Sequence, residues 1–319
     1  MKIEYNRIVE AAARINGVAR KTPVLTSNNE KKENSPNFYF KCENMQRIGA
    51  FKFRGAYNKI AALPKENLER GVVAFSSGNH ARAVATSAML MGSHAKIVMP
   101  QDAPKIKVAA TREVGATIIQ YDRYSGDRAA IAQEIADKEG RTLVPPFDDP
   151  FIICGQGTIG LELHEQIEDF DYVVLPTGGG GLLSGTAMAL AELRPSVKII
   201  GAESESANDT FLSMQKGERV EIPVPRTLAD GMQVVMPGKL TFEIIRRHVE
   251  EIILVSENDI IQGMQFVAAE IRQIIEPTAA VAVAAARKLY ERHPEAKIAI
   301  VLSGGNMDLT TYAKLLQTK

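Results

Sequence analysis

The chain has 319 residues, 45% of them hydrophobic and 24% charged, which is the balance of a globular protein with a large core and not of a disordered or fibrous one. Its 38 Lys and Arg cancel its 38 Asp and Glu, so the electrostatic footprint of a general nucleic-acid binder or of an anionic-membrane protein is excluded and a small-molecule enzyme is favoured. No apolar run approaches the ~20 residues of a membrane-spanning helix, the N-terminus lacks the basic-then-apolar pattern of a secretory signal, and Cys42 and Cys154 form no paired framework, so a reducing cytoplasm is the expected location.

In chain order, short apolar runs predict strands at 38–41, 72–75, 95–99, 117–120, 172–175, 198–202, 252–255 and 297–302. Apolar spacings of three and four predict helices between them, at 79–91, 126–138, 182–193, 257–275 and 279–292. This alternation is the signature of βαβ units and parallel sheets. A group of βα units between 71 and 147 is bounded by Leu63-Pro64-Lys65 and by Pro145-Pro146. The expected architecture is therefore α/β with a small domain, 71–147, inserted in a large one, 1–70 and 148–319, and with the site in the crevice at the carboxyl ends of the strands.

Five segments bear on chemistry. Gly155-Gln156-Gly157-Thr158-Ile159-Gly160 has the form of a dinucleotide fingerprint. It follows a poor strand and no acid ends the next one, so the glycines are read as a helix start and an NAD enzyme becomes a remote alternative. Gly178 to Gly181 follow a strand and open a helix, and bare amides at a helix N-terminus suit a phosphate. No Gly-Lys-Ser/Thr follows, which excludes a nucleoside-triphosphate loop. Phe75-Ser76-Ser77-Gly78-Asn79-His80 is a second strand-to-helix loop, able to hold a carboxylate or simply to cap the helix. Lys52 stands between Phe51 and Phe53 at the expected start of a helix. Apolar neighbours lower an amine's pKa, and a neutral amine is the form that condenses with an aldehyde. Ser303-Gly304-Gly305-Asn306 ends another strand and brings a hydroxyl able to donate to a ring nitrogen.

Together these segments describe a pyridoxal phosphate site. Over nearly its whole length the sequence resembles the pyridoxal-phosphate-dependent serine/threonine dehydratase and serine racemase family, of the tryptophan synthase β-like fold (fold type II), with two open twisted sheets flanked by helices. The resemblance implies that Lys52 carries the cofactor, that Phe51 packs by its ring and that Asn79 bonds its phenolic oxygen. Gly178, Gly179, Gly180, Gly181 and Leu182 would bind the phosphate, and Ser303 the pyridine nitrogen. Ser76, Ser77, Gly78, Asn79 and His80 would receive the substrate carboxylate, while Gly231 would line the substrate space. Glu276, in Glu276-Pro277-Thr278, falls in another shared segment. Arg128 aligns with a small-domain arginine able to face a distal carboxylate. Glu203, Ala207 and Asp209 repeat the spacing at which similar enzymes hold Mg2+ or Ca2+. Ser77 matches the second serine of racemases, which can return a proton to the face opposite Lys52. The sequence departs from relatives at Arg82, often small or Gln, and at Phe147, which is Asn in animal serine racemases. The implied activity is that of a cytoplasmic, homodimeric ammonia-lyase acting on L-threonine or L-serine. Serine racemase and threo-3-hydroxyaspartate dehydratase are the alternatives on the same scaffold.

Overall fold

The computed structural model describes residues 3–27, 37–76, 78–103, 105–122 and 126–318. Their strands are β1 (Val24–Thr26), β2 (Asn37–Lys41), β3 (Val72–Phe75), β4 (Ala95–Pro100), β5 (Thr117–Tyr121), β6 (Thr142–Leu143), β7 (Tyr172–Pro176), β8 (Lys198–Ser204), β9 (Glu251–Val255) and β10 (Lys297–Val301). The helices are α1 (Tyr5–Ile15), α2 (Lys52–Ala61), α3 (Lys65–Arg70), α4 (Asn79–Leu90), α5 (Lys105–Glu113), α6 (Arg128–Glu139), α7 (Pro150–Gln166), α8 (Gly181–Leu193), α9 (Asp209–Lys216), α10 (Lys239–His248), α11 (Glu257–Glu270), α12 (Pro277–Arg292) and α13 (Leu309–Leu316).

Two sheets result. The larger runs β1-β2-β10-β7-β8-β9 and the smaller β5-β4-β3-β6. Every pairing is parallel except that of β1 with β2. Parallel strands covered on both faces must be apolar throughout, and Val173, Val174, Leu175, Ile298, Ala299 and Ile300 are fully buried. The Ala-rich run expected within one helix is the core of α12, where Ala279 to Ala286 are at most 3% exposed. Small side chains let this helix lie close against β7, β8, β9 and β10, packing with Phe38 and Phe40, each of which contributes about 1.5–3 kcal/mol by leaving water.

Three details depart from the sequence reading. β1 and β6, three and two residues long, are too short to show an alternation. α11 stops at Glu270 instead of 275; Arg272 takes φ 54°, and the unwound stretch that follows delivers Glu276 to the start of α12. Gly155, Gly157 and Gly160 are not at a helix start. α7 begins at Pro150, where the Asp149 side chain accepts from the amides of Phe151 and Ile152, a cap worth about 1 kcal/mol. The glycines sit mid-helix for close packing: a Cβ at Gly155 would lie 2.5 Å from the Gly55 Cα, and one at Gly157 2.8 Å from the Gly185 carbonyl. Through them α2 and α8, which begin at Lys52 and at the four-glycine run, are both drawn against α7. No described helix is long and apolar enough to cross a membrane.

Candidate active site

Lys52 is the first residue of α2. Its Nζ donates to the Pro146 carbonyl at 2.7 Å and stands 5.2 Å from the centroid of the Phe51 ring. Burial lowers its pKa to about 8, against the opposing pull of Glu276. The lysine is fixed from both sides. The Phe51 amide donates to the Ser303 carbonyl at 3.0 Å. Two residues on, the buried Arg54 guanidinium binds Glu43 at 2.8 Å and Glu162 at 2.6 Å, and Lys41 joins Glu162. Removing one member of such a buried set leaves uncompensated charge and costs about 3–5 kcal/mol, so the start of α2 is firmly placed.

The glycine run leads from β7 into α8, whose N-cap, Gly180, has φ 89°. Among the described residues no side chain caps α8, which leaves its first amides to an anion. The absence of side chains has a second cause beyond ligand approach. A Cβ at Gly178 would come within 2.9 Å of the Gly231 carbonyl, and one at Gly179 within 2.2 Å of the Phe147 ring. The loop is wedged between the Gly231 strap and the junction that carries Pro146. Thr241 Oγ1 donates to the Gly179 carbonyl at 2.7 Å, and Leu182 is buried behind it.

α4 likewise starts without a side-chain cap, immediately after Gly78. Ser76 Oγ accepts from the Gly78 amide at 3.2 Å, and a Cβ at Gly78 would meet open space. Ser77 lies outside the described residues. His80 is buried, with Nε2 2.9 Å from the Val144 carbonyl. Burial pushes its pKa down to about 3. The ring is therefore neutral, with the proton on the nitrogen facing that carbonyl.

Ser303 follows β10, and its buried Oγ has no hydrogen-bond partner among the described residues. A buried hydroxyl in that state is costly and fits a ring nitrogen. Asn79 Nδ2 donates to both Glu276 oxygens, at 2.8 and 3.1 Å, and Asn306 Nδ2 donates to Asn79 Oδ1 at 2.9 Å. A Cβ on Gly304 would fall 2.6 Å from Glu276 Oε1. The site thus gains Glu276 and Asn306, as well as Pro146, Phe147 and Thr241, none of which the sequence reading gave a role. The Glu-Pro pair opening α12 was the available signal for the first.

Two further groups were singled out by the sequence. Arg128, the first residue of α6, lies 5.8 Å from the centroid of Phe75, one residue before Ser76. Glu203 in β8 accepts from the amides of Thr210 and Phe211 at 3.1 and 2.8 Å. Neither oxygen of the buried Asp209 carboxylate has a partner among the described residues. Burial and the nearby Asp209 push Glu203 well up, and burial lifts Asp209 to about 7. Two acids so placed suit a hard cation.

A buried amine, an uncapped glycine helix start and a partnerless serine hydroxyl gathered at the carboxyl ends of parallel strands define a cofactor-dependent enzyme handling an aldehyde and a phosphate. The chain matches the profile of the pyridoxal-phosphate dependent enzymes over residues 15–304, and it belongs to that family. It is 45% identical to a serine racemase of Schizosaccharomyces pombe over 312 residues, 98% of this chain and 97% of the relative. It is 46% identical to an L-threo-3-hydroxyaspartate ammonia-lyase of Saccharomyces cerevisiae over 315 residues, 99% and 97% of the two chains. Among solved structures, the processed form of threonine deaminase isoform 2 from Solanum lycopersicum superposes with a TM-score of 0.92 at 37% identity, covering 98% of this chain and 87% of that one.

Proposed function

We propose that this pyridoxal-phosphate enzyme is an ammonia-lyase for β-hydroxy amino acids, converting L-threonine or L-serine into a 2-oxo acid and ammonia. The observation that carries the reading is Lys52: an amine lowered to about pKa 8, beside Phe51, whose amide donates to the carbonyl of Ser303 at 3.0 Å, the residue with the partnerless Oγ. Lys52 would hold the cofactor, Ser303 its ring nitrogen, Asn79 its phenolic oxygen, and the amides of Gly178 to Leu182 its phosphate.

Bound there, pyridoxal phosphate supplies the electron sink for charge developing at Cα. The α4 amides with Ser76 and Ser77 orient the substrate carboxylate. Lys52 Nζ takes the Cα proton as general base. The β-hydroxyl departs with a proton as water, and the freed enamine tautomerises and takes up water to give the 2-oxo acid and ammonia. A neutral serine at the ring nitrogen favours elimination because it does not enforce a charged ring. In this reading residues 71–147 close over the substrate as a small domain. Glu203, the Ala207 carbonyl and Asp209 hold Mg2+ or Ca2+, consistent with the partnerless Asp209 carboxylate. The unpaired cysteines, Cys42 and Cys154, support a reducing, cytoplasmic setting, and the resemblance supports a homodimer.

Arg128 supports a wider range on the same site. Its guanidinium stands beside the carboxylate loop, where a bidentate contact would favour threo-3-hydroxyaspartate. Ser77 adds a second acid for partial conversion of L-serine to D-serine. One assay tests these assignments: turnover of L-threonine, L-serine and threo-3-hydroxyaspartate, with chiral product analysis, for wild type, Lys52→Ala, Ser77→Ala and Arg128→Ala. Lys52→Ala should lose all turnover, Ser77→Ala D-serine formation, and Arg128→Ala mainly the hydroxyaspartate reaction. No ammonia from any substrate with wild-type enzyme defeats the proposal.

A further inference from the structure

We propose that Asn306 is a positioning residue: it fixes which end of the Asn79 amide faces the site, and so makes Asn79 a donor to the phenolic oxygen of the cofactor. The inference rests on the role given above to Asn79.

The polarity follows from a chain of groups whose two ends can each play one part. At one end the Ile48 carbonyl can only accept, and Asn306 Nδ2 lies 2.8 Å from it. The second hydrogen of the same Nδ2 goes to Asn79 Oδ1 at 2.9 Å. At the other end Asn79 Nδ2 donates to both oxygens of Glu276, at 2.8 and 3.1 Å, a pair of contacts that suits an amide N–H and not an amide oxygen. Reversing Asn306 would set its oxygen against two oxygens. Reversing Asn79 would set oxygen against carboxylate and nitrogen against nitrogen. Asn306 also requires glycine at position 49, where a Cβ would fall 2.6 Å from Oδ1.

Asn306 also ties down a strained turn. Ile48 has φ 65° and Gly49 φ 75°, a conformation costly for a β-branched residue, and the Gly305 amide donates to the Gly49 carbonyl at 3.0 Å. The turn ends three residues before Lys52. One side chain therefore links the strand end that carries Ser303, the turn before the lysine and the amide facing the phenolic oxygen. An ionised phenolic oxygen is stabilised by an N–H and repelled by a carbonyl oxygen, so the orientation matters for cofactor binding itself.

The test is titration of apoprotein with pyridoxal phosphate, reading the dissociation constant and the position of the bound cofactor's visible band. The proteins are wild type, Asn306→Asp, Asn306→Ala, Asn79→Ala and the double variant Asn306→Ala/Asn79→Ala. Asn306→Asp keeps the shape but accepts where the native residue donates. Asn306→Ala removes the donor without adding charge, and carries the test if the aspartate variant melts early. Each Asn306 variant should bind about five- to fiftyfold more weakly and shift the band in the same direction as Asn79→Ala. In the Asn79→Ala background the second change should lose most of its effect, because the amide it orients is gone and only its bond to the Ile48 carbonyl remains. If Asn79→Ala shifts the band while the Asn306 variants match wild type, or if the Asn306 effect persists undiminished without Asn79, the positioning role is overturned and the assignment of Asn79 stands. If Asn79→Ala binds and absorbs like wild type, the assignment of Asn79 falls and this inference with it.

Discussion

Lys52 carries a titration that its surroundings make specific. Burial sets its pKa near 8, so the amine is charged below that pH and neutral above it. Condensation with an aldehyde needs the neutral form. Cofactor uptake by apoprotein should therefore accelerate by about tenfold per unit between pH 6 and 8 and level off above. Stopped-flow absorbance checks this, and a rate still climbing through pH 10 would mean an ordinary lysine. Lys52 and Ser303 were legible in the sequence because each is announced by its neighbours, two aromatics for one and a Gly-Gly strand end for the other. Glu276 and Asn306 were not assigned roles, because their value lies in a hydrogen-bond chain between residues 227 positions apart, which spacing cannot display. His80 was legible as part of the loop, but its commitment to the Val144 carbonyl depends on tertiary contact.

Three helix starts, of α2, α4 and α8, and the end of β10 make the site, and the glycines around them do different work. In α7 they allow helix against helix. In the run from Gly178 to Gly181 they answer to Phe147 and Gly231. The pattern of the first set misled about its place because α7 starts at the Asp149-Pro150 cap, five residues before Gly155. Gly179→Ala would place a methyl 2.2 Å from the Phe147 ring, and a packed loop answers such overfilling by shifting. The expected result is at least about tenfold weaker cofactor binding, which corresponds to about 1.4 kcal/mol. Adding Phe147→Ala should recover a large part of it. Equal affinity for Gly179→Ala and wild type would show that the ring does not set the loop.

For the whole molecule, the alternation of strands and helices made the α/β class readable, whereas strand order came only from the structure, since β2 pairs with β10 across most of the chain. The proposed cation site joins distant parts of the chain, because Glu203 in β8 and Asp209 in α9 come together only in the folded form. An ion held there stabilises that form alone, by about 2.7 kcal/mol at a hundredfold excess over its Kd. A chelator should lower the melting temperature by several degrees, Mg2+ or Ca2+ should restore it, and Asp209→Asn should remove the response. A melting curve indifferent to chelator would return the two acids to the status of buried, protonated carboxyls.

Attachment of the cofactor through Lys52 is tested by borohydride reduction of the holoenzyme followed by peptide mass spectrometry. The expected product carries one added pyridoxyl group per chain, on the peptide containing Phe51-Lys52-Phe53, together with loss of the visible band. A reduced cofactor found on another lysine, or a Lys52→Ala protein that still acquires the group, would contradict it.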